Sequence, residues 1–317
     1  MIFGGEAVEV VIDWRGIREK YPCVAVGLGN FDGVHLGHQK LIRELVQSAR
    51  RIGGKALVFT FYPHPAAVLE PQKAPPLLLT PEAKEKMIAR LGVDILLRVP
   101  FTPEFARTAP EDFVAGVLCA GLGARVVLVG YNYTFGYRGE GTAALLEELS
   151  EKYGFELRVV PPVRVGGRVV SSTLIRQLLM AGKVAEATNF LGYQPFVEGV
   201  VVPGDRRGSE LGFPTANVEP DEKVLVPARG VYSVRVAVNG DTYLGVANVG
   251  LRPTFYDHSP RPGIEVHLLD FRDNLYGKSI RVHFVERLRE ERRFASARDL
   301  VEQIRQDIRR AREITPG

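Results

Sequence analysis

Residues 23–38 read CVAVGLGNFDGVHLGH. The first six are apolar or small, with no charged side chain. That is what a strand buried on both faces of a parallel sheet requires. The run passes straight into glycines at 27, 29, 33 and 37. A helical pattern over 38–52 follows, with Leu41, Ile42, Leu45, Val46 and Ala49 on one face. Strand, glycine-rich turn and helix in that order open a parallel α/β unit. Outward from this point the pattern repeats. Strands are predicted over 55–61, 93–99, 124–130 and 156–160, and helices over 81–91, 110–120 and 142–153. Pro81 and Pro110 sit where a first helical turn accepts proline. Alternating strands and helices predict a parallel, Rossmann-like sheet with helices on both faces. Such a sheet binds ligands beyond the C-terminal ends of its strands, at the point where strand order reverses.

After about residue 190 the texture changes. Short runs at 196–202, 230–238, 242–249, 263–269 and 279–285 are punctuated by Gly and Pro. Several alternate apolar and polar residues, as half-buried antiparallel strands do. Asn239-Gly240 between two of them is a two-residue hairpin signal. This half reads as a small, mainly β barrel ending in a helix over 296–312, where Leu300, Ile304 and Ile308 recur four apart. Helices over 173–181 and 183–191 bridge the halves. The expected division is 1–186 and 187–317.

The length of 317 residues suits two cores better than one. Lys and Arg number 41 against 37 Asp and Glu, a net charge of only +4. That balance does not suggest a nucleic-acid or membrane binder. No apolar run reaches the roughly 18 residues of a membrane span. The first residues, MIFGGEAVEVVIDWRGIREK, lack the basic-then-apolar order of a secretory signal. Cys23 and Cys119 are the only cysteines and have no metal-type spacing, which argues for a reducing, cytoplasmic setting.

Three segments carry chemistry. In the first, Gly29, Asn30, Phe31 and Gly37 line a turn that opens a helix, where free N–H groups and the helix dipole favour phosphate. His35 and His38 are three apart and share a face there; two imidazoles would donate hydrogen bonds to a triphosphate, or simply cap the helix. The second segment is Ser171-Ser172-Thr173 with Arg176 one turn on, either plain N-capping or a second phosphate clamp. The third lies in the barrel half. Gly204, Gly208 and Gly212 recur every four residues before Phe213-Pro214-Thr215-Ala216-Asn217. Thr215 and Asn217 are hard oxygen donors facing one way on an extended backbone. They would hold Mg²⁺ if ATP phosphates complete its shell. Glu265, on the polar face of 263–269, is a candidate general base or a solvated strand residue.

Together these strings resemble the bacterial bifunctional riboflavin kinase/FAD synthetase family. Gly29 to His38 is similar to the HxGH motif of nucleotidyltransferases, and Ser171 to Arg176 to their second signature. The Gly212–Asn217 string, residues 248–254 and Glu265-Val266-His267 resemble the riboflavin kinases in order and spacing. Strings at 60–65, 130–136 and 289–294 add to the likeness. The resemblance implies two activities: phosphorylation of riboflavin by ATP in the second half, and adenylylation of FMN to FAD with release of pyrophosphate in the first. It implies Glu265 as the base, and Thr215 and Asn217 as magnesium ligands. Gly204, Gly208, Gly212, Pro214 and Thr215 would bind the kinase ATP. His35 and His38 would be catalytic in the first half, with Gly29, Asn30, Phe31, Gly37, Ser171, Ser172, Thr173 and Arg176 on the nucleotide. Phe61 and Asn132 are expected on the flavin of the first half, and Arg289 on that of the second. Val169-Val170 before the serine loop, and the doubled Arg206-Arg207, are small departures. Two readings compete. One is a nucleotidyltransferase acting on another phosphate acceptor; the other is a nucleotide- or RNA-binding protein with an oligonucleotide-type barrel. A monomer or weak homo-oligomer is expected, with small-molecule partners only.

Overall fold

A computed structural model describes residues 8–204, 208, 211–252 and 261–315, with the backbone alone at 251, 252, 261 and 262. Arg206, Arg207, Pro253 and Thr254 lie outside the described residues. The chain forms two compact units, residues up to Pro76 with Pro81–Val170, and Leu77–Thr80 with Ser171 onward.

The first unit is a six-stranded parallel sheet. Its elements are β1 (Glu9–Val11), α1 (Ile17–Lys20), β2 (Val24–Leu28), α2 (Leu36–Arg51), β3 (Lys55–Tyr62), α3 (Pro65–Leu69), α4 (Pro81–Ala89), β4 (Ile95–Pro100), α5 (Pro110–Asp112), β5 (Ala124–Gly130), α6 (Ala143–Tyr153) and β6 (Glu156–Val160). A small hairpin, β7 (Arg164–Val165) and β8 (Arg168–Val169), closes it. The sheet order is β1-β4-β3-β2-β5-β6. Order therefore reverses beside β2, where β3 lies on one side and β5 on the other. Val24, Val26 and Leu28 face a core shared with Phe113, Val117, Leu146 and Leu149. Gly27 faces the other way, toward α2. A Cβ there would come within 2.9 Å of Leu45 Cδ2, so this glycine is what lets α2 pack closely on the sheet.

Two features differ from the sequence reading. The short edge strand β1 pairs with β4 through Glu9 and Ile95 and was not anticipated, because three half-exposed residues carry no usable period. The helix expected over 110–120 is present, but after Asp112 it winds as a π-helix from Phe113 to Gly121, with Leu122 N donating to Val117 O at 2.9 Å. An apolar face does not reveal that extra residue per turn.

The second unit is a closed antiparallel barrel. It comprises α7 (Ser172–Met180), α8 (Val184–Leu191), β9 (Phe196–Val202), β10 (Ala216–Pro220), β11 (Gly230–Val238), β12 (Asp241–Arg252), β13 (Arg261–Leu268), β14 (Ser279–Arg289) and α9 (Ala297–Ile314). The strands close in the order β10-β13-β12-β11-β14-β9. Tyr232, Val234, Val249, Ile264, Val266, Val282 and Phe284 are buried. On alternate residues, Val231 and Val246 join Leu288 beneath Ala311 and Ile308 of α9. Asn239 and Gly240 have φ of 52° and 96°, and Val238 pairs with Asp241, so the expected hairpin forms. Strand β10 was not anticipated, because it lies inside the Pro-Thr-Ala-Asn string. The bridging helices pack with the barrel: Ala228 N donates to Leu179 O at 2.9 Å. So does a piece of the first half's sequence, since Leu77 N donates to Lys223 O at 2.7 Å. Among the described residues no helix is long and apolar enough to cross a membrane.

Candidate active sites

The loop after β2 is held in an unusual backbone form. Phe31, Gly33 and Val34 have φ of 51°, 80° and 35°. For Phe31 and the β-branched Val34 this is strained geometry, of the kind that clusters at functional sites. The surroundings enforce it. Phe31, Asp32, Val34 and His35 are buried. Gln39 Nε2 donates to Val34 O at 2.9 Å, and Val34 N to Phe31 O at 3.1 Å. Two glycines make room: a Cβ on Gly29 would lie 3.1 Å from the Phe31 ring, and one on Gly37 would lie 3.2 Å from the His35 ring.

His35 is the N-cap of α2. Its Nδ1 accepts from the His38 amide at 3.3 Å, which leaves the proton of a neutral His35 on Nε2. The His35 and His38 rings stack with centroids 3.6 Å apart, and Phe31 meets His38 edge-on at 5.3 Å. Burial, then the neighbouring His35 and Lys84, hold the His38 pKa well below the usual imidazole value. His38 is therefore neutral at pH 7, and its buried Nδ1 has no hydrogen-bond partner. The two histidines are thus a capping pair and a polar pair at once, at a helix start where anions are favoured.

The two strands that flank β2 lead to the expected flavin residues, Phe61 on β3 and Asn132 just after β5. Asn132 follows β5 in an exposed turn, in which Tyr133 N donates to Gly130 O at 3.0 Å. Phe61 belongs to an aromatic cluster, edge-on to Phe59 at 5.3 Å, Phe101 at 5.1 Å and Phe105 at 5.4 Å. Much of its surface is packing. Ser171 is the N-cap of α7, accepting from Leu174 N at 3.2 Å. Ser172 and Thr173 occupy the first helical positions, and Arg176 is buried on the same helix.

In the barrel, strand register assembles a second site. Glu265 of β13 pairs with Asn217 of β10 on one side and Asn248 of β12 on the other. Cross-strand partners share a face. Ile264 and Val266 point into the core, so Glu265 faces outward and is exposed. The glycine string packs on this patch. A Cβ on Gly204 would lie 2.6 Å from Asn217 Cγ, and one on Gly208 would lie 3.2 Å from Thr215 Oγ1. Gly212 serves differently: its φ is 85° and nothing stands near it. His267 Nδ1 lies 2.8 Å from Pro214 O, which fixes the Pro-Thr turn. Among the described residues no three His, Cys, Asp or Glu side chains form a metal cluster. A metal here would rest on the neutral oxygens of Thr215 and Asn217 plus substrate phosphates, a donor set that suits magnesium.

Arg289 is committed elsewhere. Its guanidinium grips the buried Asp307 of α9 through contacts of 2.8–3.1 Å. Asn248 and Thr60 entered the sequence reading only as the first residues of the 248–254 and 60–65 strings, without a role, and Lys84 not at all, although each stands beside an expected residue. No local pattern marks them, since β register and long-range approach bring them in.

The geometry agrees with what known proteins show. The FAD synthetase family profile matches residues 17–174, and the riboflavin kinase profile matches residues 191–315. The chain is 40% identical over 298 residues to the bifunctional riboflavin kinase/FMN adenylyltransferase of Bacillus subtilis, covering 93% of each chain. It is 39% identical over 292 residues to the protein of that name from Escherichia coli K12, covering 92% of each. A crystal structure titled macrolide-efflux protein, from Streptococcus pneumoniae, shares the fold at a TM-score of 0.86 and 32% identity, over 96% of this chain and 99% of that one. On strand order, barrel closure and sequence likeness over nearly its whole length, this chain belongs to the bifunctional riboflavin kinase/FMN adenylyltransferase family.

Proposed function

We propose that the chain makes FMN and then FAD, with one reaction on each side of the division between its family matches. The observation that carries this reading is that the His35 loop stands on the first unit and the Glu265 patch on the second, within residues 17–174 and 191–315 that the two family profiles match.

In the barrel, the ribityl hydroxyl of riboflavin is a weak nucleophile and needs a base. Glu265 accepts its proton as the oxygen attacks the γ-phosphorus of ATP, and ADP leaves. Gly204, Gly208 and Gly212, with Pro214, let the backbone lie close to the nucleotide. Thr215 and Asn217 would hold magnesium, which when bound neutralises phosphate charge. Phosphoryl transfer depends mostly on positioning and charge, so the glycine turns matter as much as the base.

In the α/β unit, the FMN phosphate is already a nucleophile. It attacks the α-phosphorus of ATP, and pyrophosphate leaves. No proton has to be removed, so donors suffice. His35 and His38 supply N–H groups at the helix start, with Gly29, Asn30, Phe31 and Gly37 shaping the turn. By the family resemblance Ser171, Ser172, Thr173 and Arg176, which open the second unit, carry further phosphate donors, and the FAD synthetase match extends through three of them. Asn132 faces the flavin, with Phe61 as the packed edge of that side. Arg289 braces α9 rather than contacting flavin directly. The substrates are small molecules, the setting is cytoplasmic, and neither nucleic acid nor membrane takes part.

The test is separation of riboflavin, FMN and FAD by fluorescence-detected chromatography after incubation with ATP and Mg²⁺, starting from riboflavin and, separately, from FMN. FAD from both starts is expected. No flavin conversion from either start would sink the reading.

A further inference from the structure

Lys84 lies on α4 outside every segment the two reactions use, yet it reaches the His35 loop. Its Nζ donates to the Asn30 carbonyl at 3.2 Å and sits 3.3 Å from the Thr60 hydroxyl. Thr60 Oγ1 itself donates to that same carbonyl at 3.1 Å. Groups from α4 and β3 therefore converge on the carbonyl that opens the left-handed stretch through Phe31 and Val34. That carbonyl has two lone pairs and accepts from both the hydroxyl and the ammonium. Drawing the ammonium partly out of water is unfavourable. Such a charge is retained in a fold when it acts on something else.

We infer that Lys84 is a positioning residue of the adenylyl-transfer reaction: it holds the Asn30–Val34 loop in its strained form and sets a positive charge beneath the phosphate seat of His35 and His38. The inference rests on the adenylyltransferase reading of the first unit. The charged and titratable groups that act on Lys84 are Asp32 of the loop, Glu85 of α4 itself, Arg98 of β4, and His38 in the first turn of α2. Burial lowers the Lys84 pKa to about 8; Asp32 and Glu85 favour its charge, and Arg98 opposes it. Lys84 therefore carries its charge below about pH 8 and loses it above. The His38 imidazole is held well below its ordinary value by burial and does not share that range.

The test compares wild type, Lys84→Met and Lys84→Arg in the full chain, measuring FMN-to-FAD and riboflavin-to-FMN conversion side by side. Lys84→Met is expected to lower kcat for FAD formation tenfold or more, with KM for FMN within threefold and riboflavin phosphorylation unchanged. In wild type, kcat/KM for FAD formation is expected to fall above about pH 8. Lys84→Arg, charged throughout, should keep most of the activity and lose that alkaline fall. A purely structural lysine would not move the pH profile, and the arginine variant tests this even if the methionine variant folds poorly. A wild type that forms FAD while Lys84→Met keeps pace, or an arginine variant that still falls above pH 8, overturns the inference alone. A wild type that forms no FAD overturns the adenylyltransferase reading and the inference with it.

Discussion

The His35 loop and the Glu265 patch, the two sites proposed for phosphate chemistry, are assembled by opposite means. The loop is a local construction. A strand end, a strained turn and a helix start lie within a few residues, and the imidazoles are stacked 3.6 Å apart, that of His38 held neutral by burial. The patch is a register construction. Asn217, Glu265 and Asn248 come from three strands and meet only because the barrel closes in one order. The polar groups differ accordingly. A phosphate nucleophile needs donors, and a helix start supplies them. A hydroxyl nucleophile needs a carboxylate, and an outward β position leaves the Glu265 side chain exposed.

The sharpest way to break the comparison is to remove the base. Glu265→Gln is expected to slow riboflavin phosphorylation by roughly 10²–10⁴-fold and to leave FAD formation from FMN unchanged, read on the same chromatograms. Loss of both activities together would mean that the sites are not separable. His38→Ala is expected to do the reverse, slowing FAD formation roughly 10²-fold with riboflavin phosphorylation intact. A residual rate near wild type would remove His38 from the donor set.

Two glycine variants sharpen the register side. Gly204→Ala drives a methyl into Asn217 and should lower kcat/KM for ATP in the kinase reaction roughly tenfold or more. Gly212→Ala meets open space but keeps a φ of 85°. It should instead cost about 1–2 kcal/mol of stability, measured by urea unfolding, and less than threefold in rate. Equal effects from the two variants would contradict the separate reasons given for these glycines.

The smallest effect is on stability. The His38 pKa is depressed in the folded state, so the unfolded chain binds more protons below about pH 6.5. Stability should therefore fall on acidification, by about 1 kcal/mol between pH 7 and 5.5 from this group. His38→Gln should flatten that slope in urea melts of the α/β unit. An unchanged slope would place the titration on other groups.

Much of this was legible because period and turn chemistry are local. The run at 23–28, the helical face of Leu41 to Ala49, and Asn239-Gly240 each report their own backbone. What escaped had no local signature. Strand β10 went unlisted because Pro214 and the glycines before it signal turns while its ladder partners lie on β13 and β9. The segment at Leu77 joins the barrel through two hydrogen bonds to Lys223 and Leu225 that no pattern near it announces. Arg289 was placed on a flavin by resemblance alone; its ion pair with Asp307 of α9 has no signature in the mixed-charge run around it.

By itself, then, the sequence determined the two-part architecture, the helix-start phosphate seat and the residue types each reaction calls for. Backbone propensity, hydrophobic period and glycine placement act over a few residues and can be read there. Tertiary structure alone decided which of those residues stand side by side. It set Asn248 next to Glu265, laid Gly204 against Asn217, brought Lys84 to the Asn30 carbonyl and turned Arg289 to Asp307. Register, barrel closure and burial are properties of the assembled core, and only that core can depress an imidazole or a lysine by taking it out of water.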